Sequence, residues 1–103
     1  MYLTVRRYRR VEGERQHIVE VINRGFVPLI AAIDGFVDYY CCFAHDGALL
    51  SVSVYRDAKG ADESVRAAAR WVEQNLANHL PDQPEVISGE VFAQRQVETR
   101  TAV

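Results

Sequence analysis

The chain has 103 residues, which is enough for one domain and short for two. Hydrophobic residues make up 49% and charged residues 25%, the balance of a globular domain, so a collagen-like, disordered or disulfide-rich chain is excluded. The net charge of −2, from 12 Lys and Arg against 14 Asp and Glu, argues against nucleic acid as a partner.

No segment of the sequence suits a membrane or export. No apolar run approaches the roughly 20 residues that cross a bilayer, and the first ten residues lack the apolar centre of a signal peptide. We therefore predict a cytoplasmic protein without a membrane partner. Cys41 and Cys42 are adjacent, so on a strand they point to opposite faces, and we expect packing residues rather than a metal site.

The first third of the chain predicts one strand and a bent helix. Residues 2–8 alternate as a first strand, and residues 11–14 open a helical stretch. Apolar residues at spacings of three and four give that stretch a buried stripe: Ile18, Ile22, Phe26, Leu29 and Ile33. Because Pro28 lacks a backbone donor, we expect one helix to end near Arg24 and a short second piece to reach Ala32.

The middle of the chain predicts a β-hairpin. Residues 36–44 and residues 48–56 are rich in aromatic and β-branched side chains and are predicted strands. Between them, Asp46 and Gly47 form the Asp-Gly pair that is a strong signal for a tight turn. We therefore expect these two strands to pair antiparallel.

The last part of the chain predicts a second helix and a fourth strand. The helix follows residues 57–60, with Asp62 and Glu63 in its first turn, where the helix dipole favours acidic side chains. Residues 85–93 form the fourth strand, and residues 94–103 form a polar extension or tail. The buried stripe of the helix consists of seven apolar residues: Ala61, Val65, Ala68, Ala69, Val72, Leu76 and Leu80.

The order β-α-β-β-α-β predicts one α+β domain of the ferredoxin-like type over residues 1–103, with its core at about residues 2–93. In this fold a four-stranded antiparallel sheet carries two helices on one face. Both faces of the predicted hairpin mix apolar and polar residues, whereas a sheet with one solvated face alternates cleanly. We therefore expect a second copy of the chain to cover the helix-free face, which gives a homodimer through the sheet faces.

Several segments resemble the antibiotic biosynthesis monooxygenase (ABM) domains of the dimeric α+β barrel superfamily. The resemblance spans roughly residues 2–93, and it is carried by five short segments: residues 5–8, 23–30, 34–36, 48–55 and 70–72. The most recognisable of these segments is residues 34–36, where the first helix is followed by Gly35 and Phe36 at the start of the second strand. The resemblance implies a homodimer whose two sheets close into a barrel, with a pocket in each protomer between the helices and the concave sheet.

The resemblance also implies a chemistry and a set of site residues. In oxygenases of this kind the pocket handles a phenolic substrate and dioxygen without a cofactor, and Trp71 matches the helical tryptophan of that pocket. The family's asparagine lies near the tryptophan; here the position one turn earlier is Ala67, and the nearest amide is Asn75, one turn later. In haem-degrading relatives a helical histidine binds iron, and His79 is the residue that this alternative would use.

Trp71 and Asn75 also suit such chemistry on helical geometry. At about 100° per residue they lie as neighbours on the flank of the buried stripe, where a helix borders a pocket. Passing an electron from a phenolate to dioxygen requires an apolar cavity, an aromatic wall and a neutral donor for the oxyanion. Trp71 would supply the wall and Asn75 the donor; the alternative is a core tryptophan beside a solvated asparagine.

His79 and three further residues complete the candidate site. His79 lies within about 20° of the centre of the stripe and is expected to point inward, either as a base or orienting group or as a structural contact at the helix end. Tyr39, Tyr55 and Arg7 are candidate substrate-binding residues. For the tyrosines the alternatives are the barrel interior and the dimer interface. Arg7 belongs to a cluster that can anchor carboxylate or phosphate, and its alternative is a solvated edge that pairs with the nearby Glu12 and Glu14.

The sequence therefore predicts a cofactor-independent monooxygenase-like protein that acts on a small aromatic or quinol substrate. The expected independence of a cofactor rests on the resemblance. Two alternatives stay open: a haem-binding or haem-degrading protein with His79 as iron ligand, and a non-catalytic ligand-binding or stress-associated dimer.

Overall fold

The computed structural model describes residues 1–97, and residues 98–103 of the predicted tail lie outside the described residues. The first strand is β1 (Tyr2–Tyr8), followed by a helix in three parts: α1 (Arg15–Val21), a π-helical turn (Ile22–Phe26) and α2 (Val27–Ala31). The hairpin strands are β2 (Phe36–Phe43) and β3 (Leu49–Tyr55), and the last elements are α3 (Ala58–Asn75) and β4 (Glu85–Glu90). The order of the elements is the predicted one.

The four strands form one antiparallel sheet in the order β2-β3-β1-β4. β1 lies inside the sheet, with Val5 opposite Val52 of β3 on one side and opposite Ile87 of β4 on the other. The hairpin turn depends on Gly47, whose φ of 90° lies in the left-handed region that favours glycine. The predicted ferredoxin-like α+β fold is therefore confirmed. No helix within residues 1–97 combines the length and the apolar character needed to cross a membrane.

The helix between β1 and β2 continues through the break predicted near Arg24. Its middle turn is π-helical, since the Val27 N–H donates to the Ile22 carbonyl, five residues back instead of four. In a regular α-helix Pro28 would lack a donor and its ring would press on the preceding turn. The wider turn just before it accommodates the proline at the start of α2. The predicted break is wrong because the chain widens one turn instead of ending the helix.

The helix between β3 and β4 is α3, and it begins earlier than the sequence predicts. Asp57 caps its N-terminus by accepting a hydrogen bond from the Gly60 N–H at 2.9 Å. Because the helix starts at once after this cap, Asp62 and Glu63 lie beyond its first turn, and the dipole role expected of them is wrong. The helix ends at Asn75, so the last predicted turn of the buried stripe is not helical.

The two faces of the sheet carry different kinds of side chain. On the side that faces the helices, β1 and β3 carry buried polar and aromatic residues: Thr4, Arg6, Tyr8, Ser51, Ser53 and Tyr55. On the helix-free side the same strands carry an apolar stripe that is only half-buried: Leu3, Val5, Leu50, Val52 and Val54. The mixed faces expected from the sequence are thus present, and the apolar stripe faces away from the helices.

Candidate active site

A small, partly open space, the inner cavity, lies between the helices and the centre of the sheet. Its volume is about 10 Å³, room for one water at most. Its walls combine four aromatic side chains with two buried polar ones: Tyr8, Phe26, Tyr39, Trp71, Arg6 and Ser51. Four aliphatic side chains close it: Ile22, Leu49, Val72 and Leu76. The cavity lies where the resemblance places the pocket of each protomer.

Two larger clefts border the inner cavity. The α3–β4 cleft has a volume of about 410 Å³ and shares Arg6 and Tyr8 with the cavity. The α1–β2 cleft has a volume of about 360 Å³ and shares Tyr39 and Leu49 with it. Each cleft is large enough for a molecule of one or two aromatic rings. The cavity therefore has ligand-sized space on both sides.

Arg6 is a candidate functional residue that the sequence analysis passed over in favour of its neighbour. Its side chain is only 2% exposed, and its Nη2 donates to Ser51 Oγ at 2.8 Å. Its guanidinium carbon lies 5.6 Å from the centre of the Phe26 ring. The Nε and Nη1 atoms have no hydrogen-bond partner among the described residues. A buried cation with unused donors is costly for a fold, and such groups are concentrated at functional sites.

Tyr39 is linked to Arg6 through Ser51. The Tyr39 hydroxyl lies 2.7 Å from Ser51 Oγ, and its ring meets Phe26 edge-on, with the ring centres 5.6 Å apart. Burial raises the pKa of Tyr39 far above its ordinary value, and the neighbouring Cys41 raises it further. The phenol therefore stays neutral at physiological pH, where it can donate a hydrogen bond but cannot act as a base.

Trp71 forms the wall of the inner cavity on the α3 side, as the resemblance implies. Its ring packs against Phe26 with the ring centres 5.1 Å apart. The close approach depends on Gly25 in the π-helical turn, where a Cβ would lie only 3.0 Å from Trp71 Cζ2. On its other side the indole borders a shallow hollow between α1 and α3, together with Asn75 and His17.

Asn75 and His79 do not face the inner cavity. Asn75 is exposed, and its side-chain amide donates to the Trp71 carbonyl at 2.9 Å. His79 lies in the turn after α3, where its Nδ1 donates to the Glu12 carbonyl at 2.7 Å and its ring centre is 5.3 Å from that of His17. The prediction that His79 points inward is wrong, because α3 ends before it and the helical angle no longer applies.

Tyr55 and Arg7 also lie away from the inner cavity. Tyr55 is fully buried, its hydroxyl donates to the Ile30 carbonyl at 2.6 Å, and burial raises its pKa to about 12. This hydrogen bond links the end of α2 to β3. Arg7 lies on the helix-free face of β1 and pairs with Asp46 at 2.6 Å and with Glu85 at 3.1 Å. Arg7 is thus ion-paired, as its alternative predicts, but on an inner strand and with Asp46 and Glu85 in place of the expected Glu12 and Glu14.

The residues present do not fit a haem bound between the helices and the sheet. His79 is the iron ligand that this alternative requires, yet it is bonded to Glu12 and does not border the inner cavity. The cavity itself has a volume of only about 10 Å³. Within residues 1–97, no cluster of three or more His, Cys, Asp or Glu side chains is arranged to hold a metal ion.

Comparisons with known proteins bear on the fold. No protein-family model and no curated protein sequence matches the chain. Among solved structures it is similar to a monooxygenase from the gene ActVA-Orf6 of Streptomyces coelicolor, in complex with Nanaomycin D. The TM-score is 0.68 at 17% identity, and the match covers 94% of this chain and 92% of that one.

Two further solved structures share the fold. SnoaB, a cofactor-independent oxygenase from Streptomyces nogalater, matches with a TM-score of 0.59 and 20% identity over 93% of this chain and 94% of that one. A protein assigned as an antibiotic biosynthesis monooxygenase from Bordetella bronchiseptica matches with a TM-score of 0.68 and 12% identity over 89% and 97%. At such identities the likeness concerns the fold and does not assign a reaction. The chain therefore has the fold of the antibiotic biosynthesis monooxygenases, as its sequence resemblance predicts.

Proposed function

We propose that the protein is a cofactor-independent monooxygenase acting on a small aromatic or quinol substrate at the inner cavity. The observation that carries the proposal is the buried chain of Arg6, Ser51 and Tyr39 set against the rings of Phe26 and Trp71. SnoaB, which has the same fold, is described as a cofactor-independent oxygenase, and this supports the same class of chemistry here.

For this reaction the protein must bind the substrate and stabilise its negative charge. A quinol that has lost a proton reduces dioxygen far more readily than the neutral quinol, so the site must stabilise the oxyanion and exclude water. Phe26 and Trp71 supply an aromatic wall for the ring. The neutral Tyr39 hydroxyl supplies the hydrogen-bond donor, because Asn75, to which the sequence analysis gave this role, lies on the outer side of α3.

Substrate access runs through a cleft. The inner cavity is too small for an aromatic ring, whereas the α1–β2 cleft has about 360 Å³ and borders Tyr39 directly. A ring bound in this cleft would lie against Tyr39. Deeper entry requires the side chain of Phe26 or Trp71 to move.

Oxygen uptake with a panel of one- and two-ring quinols, in buffer with a metal chelator, tests the proposal. We expect uptake above the uncatalysed rate, and we expect Tyr39→Phe to lower the enzymatic part roughly a hundredfold, as for loss of one oxyanion donor. Tyr2→Phe is the matched control, since Tyr2 borders neither the inner cavity nor either cleft. Uptake at the uncatalysed rate with every quinol would contradict the proposal and leave the non-catalytic ligand-binding alternative.

We also infer that the protein works as a homodimer through the helix-free face of the sheet. The half-buried stripe on β1 and β3 continues onto β4 as Ile87, which is 64% exposed. A twisted sheet buries such a face best against another sheet, and a second copy of the chain offers an identical one. The two sheets would then form the barrel that the resemblance implies.

The expected cytoplasmic location is part of the proposal. Cys41 and Cys42 are both exposed on β2 and neither forms a disulfide. Exposed free thiols suit a reducing compartment.

A further inference from the structure

The α3–β4 cleft ends at a buried positive charge. Arg6 borders both this cleft and the inner cavity, and its side chain is 2% exposed. Ser51 Oγ takes a hydrogen bond from Nη2, while Nε and Nη1 have no partner among the described residues. Together these two nitrogens carry three N–H donors. The cleft therefore leads to a cation with several donors to spare.

The neighbouring arginines show that carboxylates are available at this end of β1. Arg7 pairs with Asp46, Arg9 pairs with Glu85 at 2.8 Å, and Arg10 pairs with Glu12 and Asp82. Arg6 forms no ion pair with a carboxylate of residues 1–97. Burying an unpaired guanidinium costs stability, so its retention under the helices calls for an anion that arrives from outside the chain.

The walls of the cleft indicate the shape of that anion. Val65, Ala69 and Val72 of α3 face Val86 of β4 across the cleft, and Pro84 closes one end. These side chains form an apolar slot within a cleft of about 410 Å³ that also borders Arg6, Glu73 and Asp82. We propose that Arg6 is an anion subsite that binds the carboxylate of an aromatic acid whose ring lies in this slot. The inference goes beyond the proposed function, because an aromatic acid bound here occupies a site separate from the α1–β2 cleft proposed for the quinol.

The acidic side chains of the cleft do not cancel this charge. Glu73 and Asp82 both border the cleft, but Asp82 lies 3.4 Å from Arg10 and is 59% exposed. Glu73 is exposed to solvent, which screens its repulsion of an incoming anion. The Arg6 guanidinium is buried, where the local dielectric is low and its attraction for an anion is much stronger.

Calorimetric titration with 1-naphthoate and 1-naphthamide tests the subsite, because the two molecules match in size and differ in charge. We expect 1-naphthoate to bind roughly tenfold or more tightly than the amide, as for loss of a hydrogen bond to a charged group. Arg6→Met should remove this preference. Arg7→Met is the matched control on the opposite face of the same strand and should keep it. Equal binding of the two molecules by the parent protein would overturn the proposal.

A second variant keeps the test decisive if Arg6→Met does not fold. Val86 stands directly opposite Arg6 on β4 and borders the cleft. Val86→Glu would supply a carboxylate within the chain, so we expect it to raise the melting temperature and to abolish the preference for 1-naphthoate. A folded Val86→Glu protein that still prefers 1-naphthoate would overturn the subsite. Binding is measured without oxygen uptake, so failure of the proposed oxygenase and failure of this subsite are separate results.

Discussion

Buried tyrosines set the alkaline limit of stability, since burial raises the pKa of Tyr8, Tyr39 and Tyr55. Burial raises the pKa of Tyr55 to about 12 and that of Tyr39 further still, while a tyrosine in the unfolded chain titrates near 10. Above pH 10 the unfolded chain therefore releases protons that the folded chain keeps. This favours unfolding, so we expect the free energy of unfolding to fall as pH rises from about 10 towards 12. Urea titrations across this range measure the fall.

Single variants test whether these tyrosines cause the loss of stability above pH 10. Tyr39→Phe removes one of the three tyrosines whose pKa burial raises, which are Tyr8, Tyr39 and Tyr55, so the fall in the free energy of unfolding above pH 10 should be shallower than in the parent. Tyr2→Phe serves as the comparison for loss of a hydroxyl elsewhere on the sheet. If parent and Tyr39→Phe lose stability with the same slope, the phenol of Tyr39 is not the group that burial keeps protonated.

The arginines of β1 show what the sequence can specify at the scale of one residue. A two-residue period places Arg6 and Arg7 on opposite faces of the strand with certainty. It does not say which face the helices cover, because in β3 the aliphatic residues Leu50 and Val52 lie on the helix-free side. The usual expectation that the more aliphatic face lies under the helices is thus inverted here. Packing of the whole sheet, and no local pattern, makes Arg6 the buried one.

At the scale of elements, the first turn of α3 packs too closely to tolerate a larger residue at Gly60. A Cβ there would lie 2.7 Å from the Asp34 carbonyl oxygen and 2.9 Å from Tyr55 Cδ1. In an ordinary helix Gly→Ala stabilises by about 1 kcal/mol. Here we expect Gly60→Ala to lower the free energy of unfolding by roughly 1–3 kcal/mol, because the helix must move away from a backbone carbonyl. Urea unfolding at neutral pH gives the value.

A neighbouring substitution shows that the effect comes from this contact. Lys59 is exposed on the same turn, so Lys59→Ala should change the free energy of unfolding by no more than about 0.5 kcal/mol. A stabilising Gly60→Ala would mean that α3 lies farther from the Asp34 carbonyl than the 2.7 Å separation indicates.

The helices show where periodicity stops being informative. The apolar stripes predict both helices, alternation predicts β1, and aromatic and β-branched side chains around the Asp-Gly turn predict β2 and β3. Pro28 predicts a disturbance but not its form: a break and a π-helical turn both accommodate the missing donor, and packing of Phe26 against Trp71 favours continuity. The inward direction predicted for His79 assumes that the helix continues past Asn75, whereas α3 ends there. The angle between residues on a helix predicts the direction of a side chain only when that residue lies within the helix.

At the scale of the whole molecule, the sheet lies between the proposed ligand site and the proposed dimer interface. Its helix side carries the inner cavity and the buried Arg6, while its other side carries the apolar stripe. A monomer that left this stripe in water would expose an apolar patch of the kind that marks interaction surfaces. The mixed hairpin faces seen in the sequence predict that a second copy covers the helix-free face, although the sequence alone does not reveal which side chains lie on that face.

Replacing Ile87 by aspartate tests the homodimer. Ile87 is 64% exposed in the protomer, so Ile87→Asp should leave each protomer folded while placing a charge in the proposed interface. Native mass spectrometry should give about twice 11.7 kDa for the parent and 11.7 kDa for the variant. Leu29→Asp, on the helix layer and 37% exposed in the parent, should remain dimeric. A monomeric parent, or a dimeric Ile87→Asp, would exclude this face as the interface, and the apolar stripe would then need another partner.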